Sequence, residues 1–238
     1  MSRPVASRWT APTAEGPLNA RVSLPGSKSA AARALVLAAL AQGPSRLRGL
    51  PDARDTELMR DGLAGFGVRC ADGAITPPTA LEAGSVVDCG LAGTVMRFLP
   101  AVASLADGPT RFVGDQRASS RPVAPLLAAL ARLGASVDGD SLPFSVAGRA
   151  VGRRVEVDAS ASSQFVSALL LIGPRLPHGL ALRHVGGALP SAPHIEMTLL
   201  MLRQRGVEAA TTSQTSWEVA PGEIAALDCA IEPDLTNT

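Results

Sequence analysis

Residues 24–41 read LPGSKSAAARALVLAALA: a Pro-Gly pair, two serines around a lysine, and then a run of small and apolar residues. Among the 22 Lys and Arg residues of the chain, Lys28 alone is a lysine. The apolar run predicts a helix, and the free N–H groups and dipole of a helix start favour an anion. Arg33 follows Ser29 by four residues and therefore lies on the same helix face. We interpret this stretch as a strand, a turn and an anion-binding helix start.

The same pattern occurs three times along the chain. Each copy has a short apolar strand, a turn of small residues and an apolar helix. The strands are predicted at residues 22–24, 86–89 and 155–158, and the turns and helix starts at residues 27–33 (SKSAAAR), 91–97 (LAGTVMR) and 161–167 (ASSQFVS). A single recurring pattern could arise by chance, so an internal repeat needs a second periodic signal to support it.

The second signal is a series of amphipathic helices that end on glycine. Gly67, Gly134 and Gly206 are spaced at nearly equal intervals and each is followed by an apolar stretch. Glycine is the preferred helix stop because it adopts the left-handed conformation at little cost. Two series in register predict an α/β protein with three repeated βαβαββ units, at about residues 21–85, 86–152 and 153–230. Residues 1–20 and 231–238 fall outside the repeat.

Composition limits the class of protein. The chain has 238 residues, of which 46% are hydrophobic and only 3% aromatic, so alanine, leucine and valine must build the core. The net charge is +1 and the arginines are dispersed, which argues against nucleic-acid and membrane partners. Cys70, Cys89 and Cys229 are far apart, as expected for reduced thiols rather than metal ligands. With no signal peptide and no membrane-length apolar run, we expect a cytoplasmic protein.

The second and third turns differ from the first in chemistry. Gly93 removes a side chain, so a ligand can approach the backbone, and Arg97 stands to Gly93 as Arg33 stands to Ser29. The third turn offers hydroxyl groups and the amide of Gln164 without any charge, which suits a sugar-like ligand or a neutralised phosphate. The alternative is that these serines only cap their helix. If the units pack symmetrically, the three turns meet at one end and form a site for a polyanion.

Arg121 is a further candidate for the same site, and His194 is of more interest than the other histidines. Arg121 precedes Pro122, which holds it extended ahead of the second helix of its unit. It could reach the cleft, although a solvated surface arginine fits the pattern as well. His194 follows Ser191 by three residues, near another helix start.

The quoted segment resembles the signature of the 5-enolpyruvylshikimate-3-phosphate (EPSP) synthase family. Four later motifs are similar to the same family, in the same order: Cys89–Arg97, Gly114–Pro122, Asp158–Phe165 and Leu189–Ile195. The resemblance implies a fold of two lobes, each of three βαβαββ units, of which this chain matches the N-terminal one. It further implies that residues 1–20 belong with the other lobe and that residues 231–238 cross over into it.

The resemblance also implies the reaction and its partners. Family members transfer an enolpyruvyl group from phosphoenolpyruvate to the 5-hydroxyl of shikimate 3-phosphate, without a metal or organic cofactor. Lys28 is implied as the catalytic residue in contact with both substrates. The implied shikimate 3-phosphate contacts are Lys28, Ser29, Arg33, Ser162, Ser163, Gln164 and Ser191, and the implied phosphoenolpyruvate contacts are Lys28, Gly93, Arg121 and Gln164. We expect the full-length protein to be a monomer.

Some positions depart from the family pattern, which often has Asn at Ala32 and Leu91 and can have Tyr at His194. None of these changes removes a charge, so they bear on affinity more than on the reaction. Two alternatives remain open at this point. The chain could be a UDP-N-acetylglucosamine enolpyruvyl transferase, although that family typically has Asn where this chain has Ser29. It could also be a binding lobe without activity of its own, because catalysis depends on two lobes closing over the substrates.

Overall fold

The computed structural model describes residues 10–22 and 24–234 of the chain. Helices and strands alternate throughout this part. The helices are α1 (Lys28–Ala39), α2 (Arg54–Ala64), α3 (Gly93–Ala103), α4 (Ala124–Arg132), α5 (Gln164–Ile172) and α6 (Ala192–Arg203). The strands are β1 (Ser45–Arg48), β2 (Arg69–Ala71), β3 (Ala74–Thr76), β4 (Val86–Asp88), β5 (Thr110–Val113), β6 (Ser136–Asp138), β7 (Phe144–Ala147), β8 (Arg154–Val157), β9 (Leu180–His184), β10 (Ala209–Ser213), β11 (Ser216–Val219) and β12 (Cys229–Ala230).

The strands form three sheets with one common order. The first sheet is β12-β1-β3-β2, the second is β4-β5-β7-β6 and the third is β8-β9-β11-β10. In each sheet the first two strands are parallel and the remaining pairs are antiparallel. Gly67, Gly134 and Gly206 all have positive φ angles, as their predicted role after a helix requires. The predicted α/β fold of three repeated units is therefore confirmed.

The first sheet takes one strand from a distant part of the chain. β12 pairs in parallel with β1, with Leu47 opposite Cys229, and so occupies the place that β4 and β8 hold in the other sheets. The strand predicted at residues 22–24 includes Ser23, which lies outside the described residues, while Val22 and Leu24 are not in a strand. Residues 229–230, predicted with the third unit, thus join the first sheet. The other predicted boundaries between units stay a prediction.

Close packing before α1 explains this difference. Pro25 has no N–H group to donate to a neighbouring strand. Gly26 lies against the backbone carbonyl of Gly49, so closely that there is no room for a side chain. The chain therefore turns directly into α1 and leaves the edge of β1 to the later segment, where the Ile231 N–H donates to the Arg48 carbonyl at 2.8 Å.

Three helices form the centre of the molecule. α1, α3 and α5 pack against one another, and nearly all their residues are buried. Their buried side chains are mainly alanine, leucine and valine, as the composition predicts. α2, α4 and α6 lie outside them and bury one face each. Because three similar units surround one centre, α1, α3 and α5 begin at the same end of the molecule.

Candidate functional site

The starts of α1, α3 and α5 surround a single cavity of about 510 Å³. Each predicted turn contributes to its wall, so the convergence that the repeat predicted is found. The lining residues are Ser27, Lys28, Ser29, Asp55, Leu91, Gly93, Thr94, Arg121, Gln164, His194, Met197 and Asp234.

The first turn presents Lys28 to this cavity. Ser27 caps α1, because its hydroxyl oxygen accepts a hydrogen bond from the Ala30 N–H at 3.4 Å. The Ser27 N–H in turn donates to the carbonyl of Glu232 at 2.8 Å. Lys28, the first residue of the helix, is exposed, and Ser29 beside it is half-buried. An exposed ammonium group therefore stands at a helix start that is held by two hydrogen bonds of Ser27, and an anion is favoured there.

The second and third turns are shaped by equivalent aspartates. Asp88, at the end of β4, accepts a hydrogen bond from the Gly90 N–H at 2.8 Å. Asp158, just after β8, accepts from the Ser160 N–H at 2.9 Å and from its hydroxyl at 2.6 Å. These bonds from Ser160 lower the pKa of Asp158. The local turn geometry thus repeats between the two units even though the turn sequences differ.

Gly93 and Arg121 are in direct contact at the second turn. A Cβ atom at Gly93 would lie 2.9 Å from the guanidinium carbon of Arg121. Arg121 also donates from Nη1 to the Leu91 carbonyl at 2.6 Å, which holds its side chain across the start of α3. A side chain at position 93 would therefore displace the guanidinium group of Arg121 from the place that it occupies.

Arg33 lies in the core rather than in the cavity wall. Its side chain is 1% exposed and donates to the Ser29 carbonyl (2.9 Å), Thr198 (2.7 Å) and Ser167 (2.9 Å). Its guanidinium carbon lies 5.2 Å from the ring centre of Phe98. Burial lowers the pKa of Arg33 to about 10, so the group stays charged at neutral pH. Arg33 reaches the site through the carbonyl of Ser29.

The remaining predicted residues, three serines, are not among those that line the cavity. The Ser162 hydroxyl accepts a hydrogen bond from the Gln164 N–H at 3.3 Å, while Ser163, the N-cap residue of α5, makes no capping bond with its side chain. Ser163 is buried. Ser191 precedes α6 in a left-handed conformation with a φ of 52°. Lys28, Ser29, Gly93, Arg121 and Gln164 are thus brought together, while Arg33 and these three serines are not in the wall.

His194 adds a titratable group to the wall. It lies in the first turn of α6, beside Met197. Burial, the larger cause, and the positive charge of Arg33 lower the pKa of His194, and the charge of Asp234 opposes this shift. The imidazole is therefore held in its neutral form over a wider pH range than in water.

Asp55 and Asp234 are cavity residues that we did not predict. Asp55 lies in the first turn of α2, just as His194 lies in the first turn of α6 and Arg121 precedes α4. The repeat therefore contained a signal for Asp55, because the second helix of each unit begins at the cavity. Asp234 had no such signal. It is placed by β12 and by the hydrogen bond from its N–H to the Pro25 carbonyl at 2.9 Å.

A larger cavity lies elsewhere on the molecule. It has a volume of about 740 Å³ and lies along the third sheet. Its lining residues carry charges of both signs, and Arg183 pairs with Glu156 at 3.5 Å. The residues that line this larger cavity include no helix start and no glycine turn. We take the smaller cavity as the candidate functional site because donors from three units converge there.

Within residues 10–22 and 24–234, no group of His, Cys, Asp and Glu side chains is arranged to hold a metal ion. Cys70, Cys89 and Cys229 are free thiols, and burial raises the pKa of Cys89 to about 12. None of the helices in this part is long and apolar enough to cross a membrane.

The sequence model of the EPSP synthase (3-phosphoshikimate 1-carboxyvinyltransferase) family matches residues 12–238. The chain belongs to this family. Its sheets and helices accordingly form one lobe of the two-lobed enolpyruvyl transferase fold, and the resemblance inferred from the five motifs is confirmed.

Solved structures agree with this fold. An EPSP synthase from Acinetobacter baumannii, solved at 2.37 Å, superposes with a TM-score of 0.74 over 90% of this chain and 50% of its own, at 21% identity. The enolpyruvyl transferase NikO from Streptomyces tendae superposes with a TM-score of 0.68 over 92% of this chain and 53% of its own, at 19% identity. The chain thus spans about half the length of the structures it matches.

Proposed function

We propose that this chain is the half of an EPSP synthase that binds shikimate 3-phosphate and phosphoenolpyruvate. The complete protein would transfer the enolpyruvyl group of phosphoenolpyruvate to the 5-hydroxyl of shikimate 3-phosphate and release phosphate. The observation that carries this proposal is the cavity at which α1, α3 and α5 begin, with Lys28, Arg121 and Gln164 in its wall. Membership of the family supports the choice of substrates.

The cavity suits two small anions with hydroxyl groups. Its volume of about 510 Å³ falls within the range of small-molecule sites, roughly 300–1,000 Å³. Lys28 and Arg121 supply positive charge at the wall, and the helix starts add N–H groups that favour phosphate and carboxylate. Asp55 and Asp234 offer acceptors for substrate hydroxyl groups. A cavity with cations and a few acceptors fits a phosphorylated hydroxy acid better than a simple anion.

We assign roles according to position in the cavity. Gly93 and Arg121 lie together at the second turn and would hold phosphoenolpyruvate. Ser29 would bind shikimate 3-phosphate, and Gln164, which lies between the second and third turns, would contact both ligands. Lys28 is proposed to lie between them, where a flexible point charge serves two anions better than a planar guanidinium group does. The predicted contacts of Arg33, Ser162, Ser163 and Ser191 stay predictions.

In the reaction, the 5-hydroxyl of shikimate 3-phosphate loses its proton as its oxygen attacks C2 of phosphoenolpyruvate, and C3 gains a proton. The resulting tetrahedral adduct then loses a proton from C3 and phosphate from C2, which re-forms the double bond. This chain would bind and orient both substrates, and Lys28 would stabilise the negative charge that gathers between them. We propose that the chain alone binds ligand without turnover, because closure of two lobes is needed to exclude water.

Calorimetry with shikimate 3-phosphate tests the proposal. We expect saturable binding by the chain and a loss of about tenfold or more in affinity for Lys28→Gln, as for a hydrogen-bonded charge. Arg69→Gln removes an exposed cation of β2 outside the cavity and should bind like the unchanged chain. Binding of UDP-N-acetylglucosamine instead of shikimate 3-phosphate would overturn the choice of substrate. Measurable enolpyruvyl transfer by the purified chain would show that it is not a binding half.

The single lysine offers a direct probe of the site. Reductive methylation with ¹³C-formaldehyde labels only Lys28 and the N-terminal amine, since every other cationic side chain is an arginine or a histidine. Shikimate 3-phosphate should shift the Lys28 methyl signal and leave the N-terminal signal in place. A ligand that binds without moving the Lys28 signal would place the substrate elsewhere.

A further inference from the structure

Arg97 is a buried cation just behind the cavity wall. Its side chain is 5% exposed, and its guanidinium carbon lies 5.3 Å from the ring centre of Phe165. It donates from Nη1 to Oε1 of Gln164 at 2.7 Å, and from Nη2 and Nε to the carbonyl of Pro122 at 3.0 and 3.3 Å. No salt bridge to Arg97 is found among the described residues. A single guanidinium group therefore joins the starts of α3 and α5 to the segment before α4.

The bond to Gln164 decides which way its amide faces. Arginine has only donors, so the atom of Gln164 next to Arg97 must be the oxygen. The remaining polar atom of the side chain is the NH₂ group, and Gln164 lines the cavity. The group that a ligand meets is therefore a pair of N–H donors, which suits an anion. Without Arg97, the amide could turn and present its oxygen, which repels an anion.

The hydrogen bonds from Arg97 to the Pro122 carbonyl help to fix the position of Arg121. Pro122 follows Arg121 directly, and its carbonyl is held by two N–H groups of Arg97. The Arg121 N–H donates to the Ala118 carbonyl at 2.9 Å, and the tip of the side chain is held by Leu91. The base and the tip of Arg121 are both fixed, so its guanidinium group is oriented before a ligand arrives.

We propose that Arg97 is a positioning residue that sets the donor direction of Gln164 and the placement of Arg121, so that both are ready for an anionic substrate. This rests on the proposed function of the cavity. Arg97 is not in the cavity wall, and it acts through the two residues that are. Arg33 differs from it, because the hydrogen bonds of Arg33 go to α1, α5 and α6 and none of them goes to Gln164 or Arg121.

Arg97 is positively charged at neutral pH. Burial and the nearby charge of Arg121 lower the pKa of Arg97 to about 10, which is still far above neutral pH. A buried cation without a carboxylate partner is costly unless its donors are satisfied, and here carbonyl and amide oxygens satisfy them. Its positive charge remains available to an anion in the cavity.

Three variants separate positioning from simple structural support. Arg97→Met removes the donors, while Arg97→Lys keeps the charge but lacks the planar fork that reaches both oxygens. Arg205→Met is the matched control, since Arg205 is likewise buried, at 1% exposed, and lies outside the cavity wall, donating to the Met201 carbonyl. Thermal unfolding of each variant reports its stability, and Arg97→Lys provides a folded variant if Arg97→Met does not fold.

The first readout needs no ligand. The side-chain NH₂ signals of Gln164, identified by their loss in Gln164→Ala, are followed in ¹⁵N-labelled protein. We expect them to move in Arg97→Lys and Arg97→Met and to stay in place in Arg205→Met. Signals that stay in place in both Arg97 variants would overturn the proposal. Because this readout uses the ligand-free chain, it decides the role of Arg97 even if shikimate 3-phosphate does not bind and the proposed function fails.

The second readout is a double-mutant cycle on shikimate 3-phosphate affinity. We expect Arg97→Met and Gln164→Ala each to lose about tenfold, and the double variant to lose about as much as one of them. Arg97→Lys should lose affinity while its unfolding temperature stays near that of the unchanged chain. Losses that multiply to about a hundredfold, or that follow stability alone, would show that Arg97 does not act through Gln164.

Discussion

Gly93 is the residue at which the smallest change should disturb the site. A methyl group there would lie 2.9 Å from the guanidinium carbon of Arg121, so Arg121 must move away and lose its bond to Leu91. We expect Gly93→Ala to weaken phosphoenolpyruvate binding about tenfold, the size of one charged hydrogen bond, and to leave the unfolding temperature nearly unchanged. Calorimetry with shikimate 3-phosphate already bound measures this.

Gly222→Ala is the control for this change, because no neighbouring atom of the described residues lies within 4 Å of the place that its Cβ would take. It should leave affinity as it is. Equal affinities for phosphoenolpyruvate in Gly93→Ala and Gly222→Ala would show that Arg121 does not need its observed position.

His194 should give the molecule a distinct pH dependence. Its pKa is lowered in the folded state, chiefly by burial, below the ordinary value of 6.5. The unfolded chain therefore binds a proton first as the pH falls, and stability is lost between pH 6.5 and the lowered pKa. Above pH 6.5 this contribution is fully present. We expect the loss of stability on acidification to be smaller in His194→Gln than in the unchanged chain, as measured by urea unfolding from about pH 7.5 to about pH 5.5.

The charges that face His194, from Arg33 and Asp234, are retained in this variant, so the difference reports the imidazole alone. His178→Gln, an exposed histidine outside the cavity wall, serves as the comparison. If His194→Gln and the unchanged chain lose stability in parallel, the folded-state pKa of His194 is not lowered.

At the scale of the element, α1 carries two cations with opposite environments. Lys28 is exposed at its first residue, and Arg33 is 1% exposed one turn later with bonds to α5 and α6. We expect Arg33→Ala to reduce the free energy of unfolding by about 3 kcal/mol, because Ser167 and Thr198 lose a charged partner and a hole remains. Lys28→Ala should change it by less than about 0.5 kcal/mol. Chemical denaturation measures both.

The pair also separates stability from binding. Lys28→Ala should abolish most ligand affinity in a fully stable protein, whereas Arg33→Ala should lower stability whether or not ligand is present. A stable Arg33→Ala variant that has lost only affinity would place Arg33 in direct contact with the ligand, as the family resemblance implied.

At the scale of the whole molecule, β12 links the far end of the chain to the first turn. It completes the first sheet, and the residues after it hold the Ser27 N–H and the Pro25 carbonyl. A chain that ends at residue 228 should therefore show amide exchange at residues 25–29 and 45–48 at least about tenfold faster, because these bonds are lost. Hydrogen exchange with mass spectrometry measures this.

A chain that ends at residue 234 is the matched control, since it retains β12 and every bond just described. It should exchange like the full chain. Equal protection in both shortened chains would show that the first turn is stable without the later segment.

Much of the architecture could be predicted from local signals. The three turns, the helix starts and the glycine stops are short-range features, and each requires a particular residue type at a particular place. Their repetition predicted three equivalent units, and equivalent units place equivalent turns at one end. The prediction that Lys28, Gly93 and Gln164 approach one another depended only on this symmetry, and the cavity contains all three.

The sequence by itself therefore determined the three units, their turns and the kinds of donor at the cavity. Only the tertiary structure decided which side chains line the cavity and which are buried behind its wall. Arg33 is buried because Ser167 and Thr198, which are 134 and 165 residues away, supply its partners. Likewise, β12 joins the first sheet because the edge of β1 is left open by the residues before α1. Such contacts join distant parts of the chain, and no local pattern encodes them, since periodicity describes an element and not the neighbours that pack on it.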